Sequence, residues 1–392
     1  MSLRFLTSGE SHGPCLTAIV DGLPAGLPLN EDDIAPDLAR RQGGYGRGAR
    51  MTKIEHDRAE ILGGLANGAT TGGPLALRIE NGDWPNWKDR KVKPITSARP
   101  GHADWSGGIK YGHEDFRLVL ERASARETAA RVAVGSDCKR LLAEVGIAIH
   151  SQVLKIGTVV AAPAPDLTPE VVERMEASPF RCADASAEEA MRVLVDQAKK
   201  AGDTLGGVFE VRATGVIPGL GSFAQWDRKL DGRLAQAVMS IHAIKGVEIG
   251  DGFAEAERLG THAHDAFGIG EDGTVTRATN RAGGTEGGIT NGQPVVVRAA
   301  MKPISSTISP QRTVDFAAGT AVPTQYQRSD VCAVPAAAVV GEAMVAIVLA
   351  EALLDKFGGD TLRDLKAGVE SYLAASAYWL RVEGERETDL TP

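Results

Sequence analysis

The alternation of apolar and polar residues along the chain predicts strands in two regions. Short apolar runs at Leu16–Val20 and Ala76–Ile79 are separated by glycine-dense stretches, which is typical of strands joined by turns. Residues 1–115 are therefore predicted to be strands linked by long loops. The strand pattern returns after residue 204, at Val208–Arg212 and Val295–Arg298.

Three other segments have the patterns of helices. Ser124 followed by Glu127 has the spacing of a capping box, and an apolar stripe continues to Gly146, where we expect the helix to end. Ala185–Ala201 has the charged face of an amphipathic helix. Pro335–Phe357 is Ala-rich and apolar but contains a glutamate, so it is predicted to be a buried core helix and not a membrane span.

The chain has no low-complexity linker, and we therefore predict one α+β domain over residues 1–380 with a charged, flexible tail at 381–392. Glycine pairs precede three of the strand-like runs, at Gly72-Gly73, Gly206-Gly207 and Gly287-Gly288. An internally duplicated β unit would explain these pairs, and so would independent turns.

Composition and charge restrict the class of protein. With 43% hydrophobic and 24% charged residues, the chain has the balance of a globular protein. No export signal is recognisable at its start, so we expect a cytoplasmic location. The net charge of −8 argues against a general nucleic-acid binder. The four cysteines lie far apart without a Cys-x-x-Cys pair, which favours buried thiols over a zinc site or disulfides.

Two glycine-rich segments near the start carry candidate chemistry. Gly9–Gly13 displays His12 in a loop, although a lone loop histidine is more often structural. Arg40–Lys53 contains five basic residues and no acid. Arginine matches phosphate and carboxylate oxygens, and glycines let backbone N–H groups join the contact. A basic surface loop or an RNA-contacting segment is the alternative interpretation.

Arg99–Asp104 holds a second loop histidine, His102, with a carboxylate two residues later that could orient it. An imidazole, with an unperturbed pKa of about 6.5, suits acid or base catalysis near neutral pH. A metal site is the competing interpretation. The better metal candidates, His262 and His264, have no third ligand cluster at a suitable spacing, and we predict no metal.

Further anion-binding groups are predicted where the helix starts at Ser124, because a helix N-terminus presents unpaired N–H groups to an anion. Arg122 and Arg126 flank this start. The residues alone therefore indicate an enzyme with two loop histidines that acts on a small ligand bearing phosphate and carboxylate groups.

Taken in order, these segments resemble the chorismate synthase family. The matching stretches are Gly9–Gly13, Arg40–Gly48, Arg99–Asp104, Glu121–Thr128 and Thr290–Pro294. With the matching positions around Arg328 and Asp330, they extend in family order from residue 9 to beyond residue 330. This makes the resemblance far more specific than one short motif.

The resemblance implies a lyase that converts 5-enolpyruvylshikimate-3-phosphate to chorismate and phosphate by a 1,4-anti elimination, the last common step towards the aromatic amino acids. The family requires reduced FMN although the reaction has no net redox change, and the flavin is thought to lend an electron transiently. The resemblance further implies a β-α-β sandwich of large sheets around helices, assembled as a homotetramer.

Roles for individual residues follow from the same resemblance. His12 would protonate the departing phosphate, His102 would hold a proton near the reduced flavin, and Asp330 would assist proton removal by way of the flavin ring. The implied substrate-binding residues are Ser11, Arg41, Arg47, Arg50, Arg99, Arg126 and Arg328. The implied flavin-binding residues are Arg122, Ala123, Ser124, His242, Ala243, Gly287, Lys302, Pro303, Ile304, Ser305, Ser306 and Arg328. Arg41 and Arg47 would also bind NADP in a member that uses it.

Two positions depart from the family pattern, because Ala123 stands where serine is frequent and His242 where asparagine or glutamine is frequent. Family members differ in whether they reduce the flavin with NADPH or receive it from an external flavin reductase. A flavin-free lyase or mutase acting on a small phosphorylated carboxylate is the alternative function. It would use the same arginines without the regions around Lys302 and Arg328.

Overall fold

The computed structural model describes residues 3–48, 50–327 and 329–382. The described residues contain both helices and strands, and the strands of the main sheets pair antiparallel, which agrees with the predicted α+β class. The α-helices of the described residues are α1 Glu31–Gln42, α2 Asp104–Tyr111, α3 Arg117–Ala123, α4 Thr128–Ala143, α5 Pro169–Ala177, α6 Ala185–Ala201, α7 Leu230–Met239, α8 Gly260–Ala263, α9 Val334–Phe357 and α10 Leu362–Leu380.

Most strands are short, and several belong to two-stranded hairpins outside the main sheets. The strands are β1 Arg4–Ser8, β2 Cys15–Asp21, β3 Ala59–Gly63, β4 Leu65–Ala66, β5 Ala69–Thr70, β6 Leu75–Glu80, β7 Ala148–Ile156, β8 Val159–Val160, β9 Gly207–Thr214, β10 Ile244–Ile249, β11 Phe267–Ile269, β12 Val275–Arg277, β13 Thr285–Glu286, β14 Ile289–Thr290, β15 Val295–Met301, β16 Arg312–Asp315 and β17 Thr320–Pro323. Irregular turns are a π-helical segment, Arg50–Ile54, and the 3₁₀ segments Trp84–Asn86, Ala125–Glu127, Trp226–Arg228 and Gly252–Glu257.

Two antiparallel sheets pack against a shared group of helices. One sheet has the strand order β1-β2-β6-β3 and the other the order β8-β7-β9-β15-β10. Helix α4 contacts β2 and β6 of the first sheet, and α9 contacts β7 and β9 of the second. The two helices also pack on each other, and the apolar side chains of all these elements form one buried cluster.

The predicted helices are present with small changes at their ends. Helix α6 has the predicted bounds, α9 begins one residue early at Val334, and α4 begins only at Thr128 because a 3₁₀ turn precedes it. The predicted capping box is wrong. The Ser124 hydroxyl accepts from the Arg126 backbone N–H at 3.3 Å, while the Glu127 carboxylate accepts from the Thr7 hydroxyl at 2.7 Å instead of turning back to the helix start.

Helix α1 was not predicted, and its C-terminal turn carries Arg40 and Arg41, which had been assigned to a loop. Pro36 lies inside this helix, and a proline there usually argues against one. A capping box was nevertheless visible in the sequence. The Asn30 side chain accepts from the start of the helix and the Asp33 carboxylate accepts from the Asn30 N–H.

Helix α9 lies at the centre of the core. Its length and composition would allow it to cross a membrane, but 94% of its most apolar window is buried inside the fold. Glu342 is fully buried in this helix and accepts hydrogen bonds from Arg40 at 2.7 and 2.8 Å, Lys139 at 2.6 Å and Arg181 at 3.0 Å. Burial alone would raise the pKa of Glu342, but these cations hold it well below its usual range.

The two main sheets are built from matching units. The first sheet contains, in chain order, β1, β2, β3 and β6, and the second contains β7, β9, β10 and β15. When they are matched in that order, each strand occupies the same place in its sheet as its counterpart. Each unit has a helix, α1 or α7, after its second strand, and a small hairpin, β4–β5 or β13–β14, before its last strand.

One threonine in each unit makes the same four hydrogen bonds, which fixes the correspondence. The Thr70 N–H donates to the Leu27 carbonyl, and the Thr70 carbonyl accepts from the Gly26 N–H. The Thr70 hydroxyl accepts from the Leu27 N–H and donates to the Pro24 carbonyl. In the second unit Thr290 binds Leu220, Ile217 and Gly219 in the same way.

This correspondence differs from the one suggested by the glycine pairs. With Thr70 matched to Thr290, Gly72-Gly73 aligns with Gly292-Gln293 and not with Gly287-Gly288. Gly206-Gly207 lies at the start of β9, the counterpart of β2, and belongs to a different part of the unit. The repeat is therefore carried by threonine hydrogen bonds that the glycine pattern did not reveal.

The predicted tail begins with two ordered residues. Val382 donates its N–H to the Gly273 carbonyl at 2.8 Å, and Arg381 bridges to Thr274. Residues 383–392 lie outside the described part of the chain, so the rest of that prediction stays a prediction.

The Glu342 network predicts a large loss of stability in Glu342→Ala. This change leaves three buried or half-buried cations without their shared carboxylate, and we expect the free energy of unfolding to fall by about 3–5 kcal/mol. Chemical denaturation measures the difference. Glu351→Ala is the matched control on the same helix. Its pair with Arg233 is partly exposed, at 31% for the carboxylate, so the expected loss is about 1 kcal/mol or less. Equal losses in the two variants would contradict the central role of Glu342.

Candidate active site

His12 lies in the connection between β1 and β2, where the glycine-flanked loop turns the chain back. Its ring Nδ1 is 2.9 Å from Glu121 Oε1, and its backbone N–H donates to Glu121 Oε2 at 2.7 Å. The next residue back, Ser11, donates its backbone N–H to the Glu121 carbonyl at 2.9 Å. Glu121, at the end of α3, thus fixes both the backbone and the ring of the predicted acid.

These contacts determine which ring nitrogen of His12 carries hydrogen. Burial raises the pKa of Glu121, but hydrogen bonds and charge from His12 outweigh it and lower the pKa below its usual value. An ionised carboxylate only accepts, so Nδ1 of His12 is the donor. Nε2 is left on the opposite side of the ring, 3.4 Å from Arg50 Nη1. Because a guanidinium only donates, Nε2 accepts from Arg50 in the neutral ring, and it can act as an acid only after it has taken up a second proton.

Arg50 joins His12 to Ser11 and to the start of the helical segment before α4. Its guanidinium donates to the Ser11 hydroxyl at 2.9 Å and to the Ser11 carbonyl at 2.5 Å. The Ser124 hydroxyl is 3.1 Å from that of Ser11. The structure therefore brings these four predicted residues together at one place.

Arg41 and Arg126 lie beneath this group and are almost completely buried, with side chains 4% and 1% exposed. Both bind the buried carboxylate of Asp57, at 3.3 Å from Arg41 and 2.5 Å from Arg126. Each of them also donates to other protein groups. Arg41 binds Thr128 and the Ala125 carbonyl, and Arg126 binds Asn81 and the Glu80 carbonyl.

A second buried carboxylate, Glu55, completes the charge balance below the site. It accepts from Arg50 Nε at 3.0 Å and lies 3.5 Å from Arg126. Burial lowers the pKa of Arg41 to about 10; the Asp57 charge opposes this, and neighbouring Arg126 adds to it. Asp57 and Glu55 therefore allow these arginines to stay charged although they lie close to one another.

Asp330 and Arg47 form another part of the site. Arg47 Nη1 donates to Asp330 Oδ2 at 2.5 Å, and the Gly48 N–H donates to Oδ1 at 2.6 Å. Arg47 Nη2 also lies 3.5 Å from the Arg41 carbonyl, which places Asp330 beside the arginine cluster.

His102 belongs to a separate cluster, just before α2. Its Nδ1 is 2.5 Å from Asp104 Oδ1, and Arg99 binds both oxygens of the same carboxylate at 2.8 and 2.9 Å. Burial would raise the pKa of Asp104, but His102 and Arg99 hold it well below its usual range. Nδ1 of His102 therefore donates to Asp104, and Nε2 is the nitrogen left for chemistry.

The segment from Lys302 to Ser306 links the two clusters. Lys302 Nζ donates to the Gly101 carbonyl at 3.0 Å, beside His102. At the other end, the Ser329 hydroxyl donates to the Ser306 carbonyl at 2.9 Å, next to Asp330. Pro303 and Ile304 lie between these anchors, and the side chain of Ser305 faces Gly101, whose added Cβ would be 3.5 Å from Ser305 Cβ.

Other predicted flavin residues are placed around the same loops. Arg122 donates to the Thr7 and Gly9 carbonyls, with Ala123 ending α3 beside it. His242 is largely buried, and its Nδ1 has no hydrogen-bond partner among the described residues. The following residue, Ala243, has a φ of 65°, a backbone conformation that is uncommon outside glycine.

Gly287 is not joined to these clusters within the described part of the chain. Gly287 lies in the β13–β14 hairpin, where a Cβ added to it would contact only Phe223 at 4.0 Å among the described residues. Arg328 lies outside the described residues, so its assignment stays a prediction.

Several residues of the site were missed by sequence reasoning. Glu121 was inside a matched segment but had no assigned role, and Glu55 and Asp57 directly follow the basic stretch. Carboxylates next to an arginine cluster are a usable signal for buried counter-charges. Trp87, which stacks on His12, had no such signal because only folding brings its segment to that loop.

The fold and the site define an α+β enzyme for anionic ligands, with two carboxylate-oriented histidines and a cluster of arginines. Comparison with known proteins identifies the group more closely. The profile described as "Chorismate synthase" matches residues 3–354, and the chain belongs to the chorismate synthase family.

Relatives at high identity agree with this assignment. The chain is 53% identical over 388 residues to a chorismate synthase of Aquifex aeolicus, covering 95% of this chain and 97% of the relative. It is 54% identical over 389 residues to one of Salinispora tropica, covering 95% and 99%. A crystal structure of chorismate synthase superimposes with a TM-score of 0.79 at 48% identity, covering 96% of this chain and 98% of that one.

His242 predicts a pH dependence of stability. Its pKa is lowered to about 4, first because burial penalises the charged ring, with Glu127 opposing and Arg131 adding to the effect. In the unfolded chain the pKa is about 6.5. The unfolded state therefore binds the proton first, and the contribution is lost as pH falls from about 6.5 towards about 4.

We expect denaturation curves between pH 7 and pH 4.5 to show this loss, and His242→Asn to make it smaller. Subtracting the free energy of unfolding of the variant from that of the wild type at each pH removes the contributions of the carboxylates that both proteins contain. The same pH slope in both would show that His242 is not held neutral by the fold.

Proposed function

We propose that this protein converts 5-enolpyruvylshikimate-3-phosphate to chorismate and phosphate by 1,4-anti elimination with reduced FMN, in the pathway to the aromatic amino acids. The observation that carries the proposal is the convergence of His12 Nε2, Arg50 and the Ser11 hydroxyl at one place. A proton donor beside a guanidinium suits a leaving phosphate, because the arginine binds its oxygens while the acid neutralises its developing charge.

In this proposal His12 gives a proton to phosphate as the carbon–oxygen bond breaks. Glu121 holds Nδ1–H, so the transferred proton comes from Nε2. Ser11 and Arg50 bind the phosphate oxygens. A proton is also lost from a ring carbon, and Asp330 assists its removal while Arg47 and the Gly48 N–H orient the carboxylate. His102 holds a proton on the side of the flavin, with Asp104 and Arg99 fixing its ring.

The contacts divide the predicted substrate arginines into two groups. Arg41 and Arg126 are buried and use their donors on protein groups, so we assign them to supporting the site from below. Arg50 and Arg99 are more accessible, with side chains 16% and 12% exposed. We assign them, with Arg47 and Arg328, to direct binding of phosphate and carboxylates. A role for Arg41 and Arg47 in binding NADP is part of the proposal only if the protein reduces its own flavin.

The described residues fit an anionic cofactor with polar ring edges. Lys302 and Arg122 supply cations, and the unpartnered Nδ1 of His242 offers a buried hydrogen-bonding atom. These residues, with Ala123, Ser124, Ala243, Gly287 and Pro303–Ser306, would hold reduced FMN. When bound, the reduced flavin supplies a transient electron to the elimination.

The remaining parts of the proposal concern assembly and location. We propose that the two sheets and their shared helices form the family's β-α-β sandwich in a single domain, residues 1–380, and that four copies assemble. Exposed apolar side chains such as Leu6, at 77%, and Phe253, at 79%, support burial against other copies. A cytoplasmic location is also part of the proposal, and either NADPH or an external reductase would supply the reduced flavin.

The first test is anaerobic turnover of 5-enolpyruvylshikimate-3-phosphate with chemically reduced FMN, following chorismate absorbance and phosphate release. Both products should form only when reduced flavin is present. Turnover without flavin, together with no binding in a flavin titration, would favour the alternative, a flavin-free lyase or mutase on a phosphorylated carboxylate.

Substitution of either histidine tests the assigned roles. We expect His12→Ala and His102→Ala each to lower kcat by roughly 10²–10⁴-fold, the usual contribution of a placed acid or base, with unchanged circular dichroism and thermal unfolding. His264→Ala, in an exposed loop, is the matched control and should keep full turnover. Full turnover in both of the first two variants would remove these residues from the mechanism.

A further inference from the structure

Trp87 packs directly on the predicted acid. Its ring centroid lies 3.9 Å from that of His12, with 33° between the ring planes. This contact covers one face of the imidazole, while Glu121 binds one edge through Nδ1. Together they leave the Nε2 edge as the part of the ring that faces Arg50.

The indole is itself held in place. Its Nε1–H donates to Asp83 Oδ2 at 3.0 Å, and Asp83 is only 2% exposed. On the ring, the Arg90 guanidinium carbon lies 5.0 Å and that of Arg117 5.8 Å from the centroid. Cations at this distance are attracted to the electron-rich face of tryptophan, so Trp87 is fixed by an edge hydrogen bond and by neighbouring charges.

The turn that carries Trp87 is attached to the same framework as His12. Asn81, at the end of β6, donates its side-chain amide to the carbonyls of Glu10 and Gly13 at 3.0 and 2.7 Å. Its own carbonyl accepts from the Trp84 N–H at 3.0 Å and starts the turn. One residue therefore sets the distance between the His12 loop and the Trp87 turn, and its amide oxygen is held by Arg126.

We propose that Trp87 is a positioning residue for the reaction, which fixes the plane of the His12 ring so that Nε2 points to the phosphate. This inference rests on the proposed function. The polar contacts at its two nitrogens still allow the ring some rotation about its Cβ–Cγ bond, and packing of the indole on its face restricts this rotation. Misplacement of a reacting group by about 1 Å can cost on the order of 100-fold in rate.

A double-mutant cycle tests whether Trp87 acts through His12. Trp87→Ala should lower kcat by roughly 10–100-fold with a smaller change in KM. In a His12→Ala background the same substitution should cause no further loss, because no ring remains to be positioned. Trp87→Phe, which keeps the stacked ring but loses the bond to Asp83, should retain most of the turnover. Trp379→Ala, on an exposed tryptophan of α10, is the control for loss of an indole.

A second measurement does not depend on turnover. The rate at which diethylpyrocarbonate modifies His12, followed by mass spectrometry of the His12 peptide, should increase in Trp87→Ala and stay unchanged in Trp379→Ala. If wild-type protein forms no chorismate with reduced FMN, the proposed function fails while this result still reports on the stacking.

Two outcomes would overturn the inference. One is an equal loss of kcat from Trp87→Ala with and without His12. The other is wild-type turnover and wild-type His12 reactivity in Trp87→Ala. Circular dichroism of each variant separates these outcomes from unfolding, and Trp87→Phe supplies the comparison if Trp87→Ala does not fold.

Discussion

The site depends on two buried carboxylates that allow several arginines to lie close together. Arg41 and Arg126 share Asp57, and Arg126 and Arg50 share Glu55. Without these anions the cations would repel one another in a region where little water is present to screen them. The carboxylates, with Thr128, Asn81 and two backbone carbonyls, also bind several donors of the deeper arginines. Positive charge is thus concentrated below the site.

The two histidines are oriented by the same kind of hydrogen bond, from Nδ1–H to a carboxylate, but their surroundings differ. Each donates Nδ1–H to a carboxylate whose pKa is lowered by the contact, which leaves Nε2 for chemistry. His12 is covered by an indole and faces Arg50, whereas the partner of His102, Asp104, is also bound by Arg99 at both oxygens. These surroundings suit the proposed roles, because an acid for phosphate needs a fixed direction and a proton-holding group beside a cofactor needs a stable charge balance.

Much of the fold could be predicted because local pattern and final structure agree in helix α6 and strand β2. Helix α1 was missed because the glycines and turn signals of residues 1–115 indicated strands and loops. The cap at Ser124 was misjudged because a distant residue, Thr7, binds Glu127 instead. The histidines and arginines could be found from loop composition. Their partners at Glu121 and Trp87 depend on contacts across about 75 to 109 positions of sequence, which no local pattern records.

The matching units of the two sheets explain how one chain can hold such unlike loops. The junction from helix to next strand spans residues 43–58 in the first unit, where Arg47 and Arg50 lie, and 240–243 in the second, where His242 lies. A symmetric dimer of a half-length ancestor would have to repeat one junction sequence at both places. Once both copies belong to a single gene, each junction can mutate separately. Duplication followed by fusion would therefore have released the two junctions from symmetry, so that they could come to differ in length and in the side chains that they bring to the site.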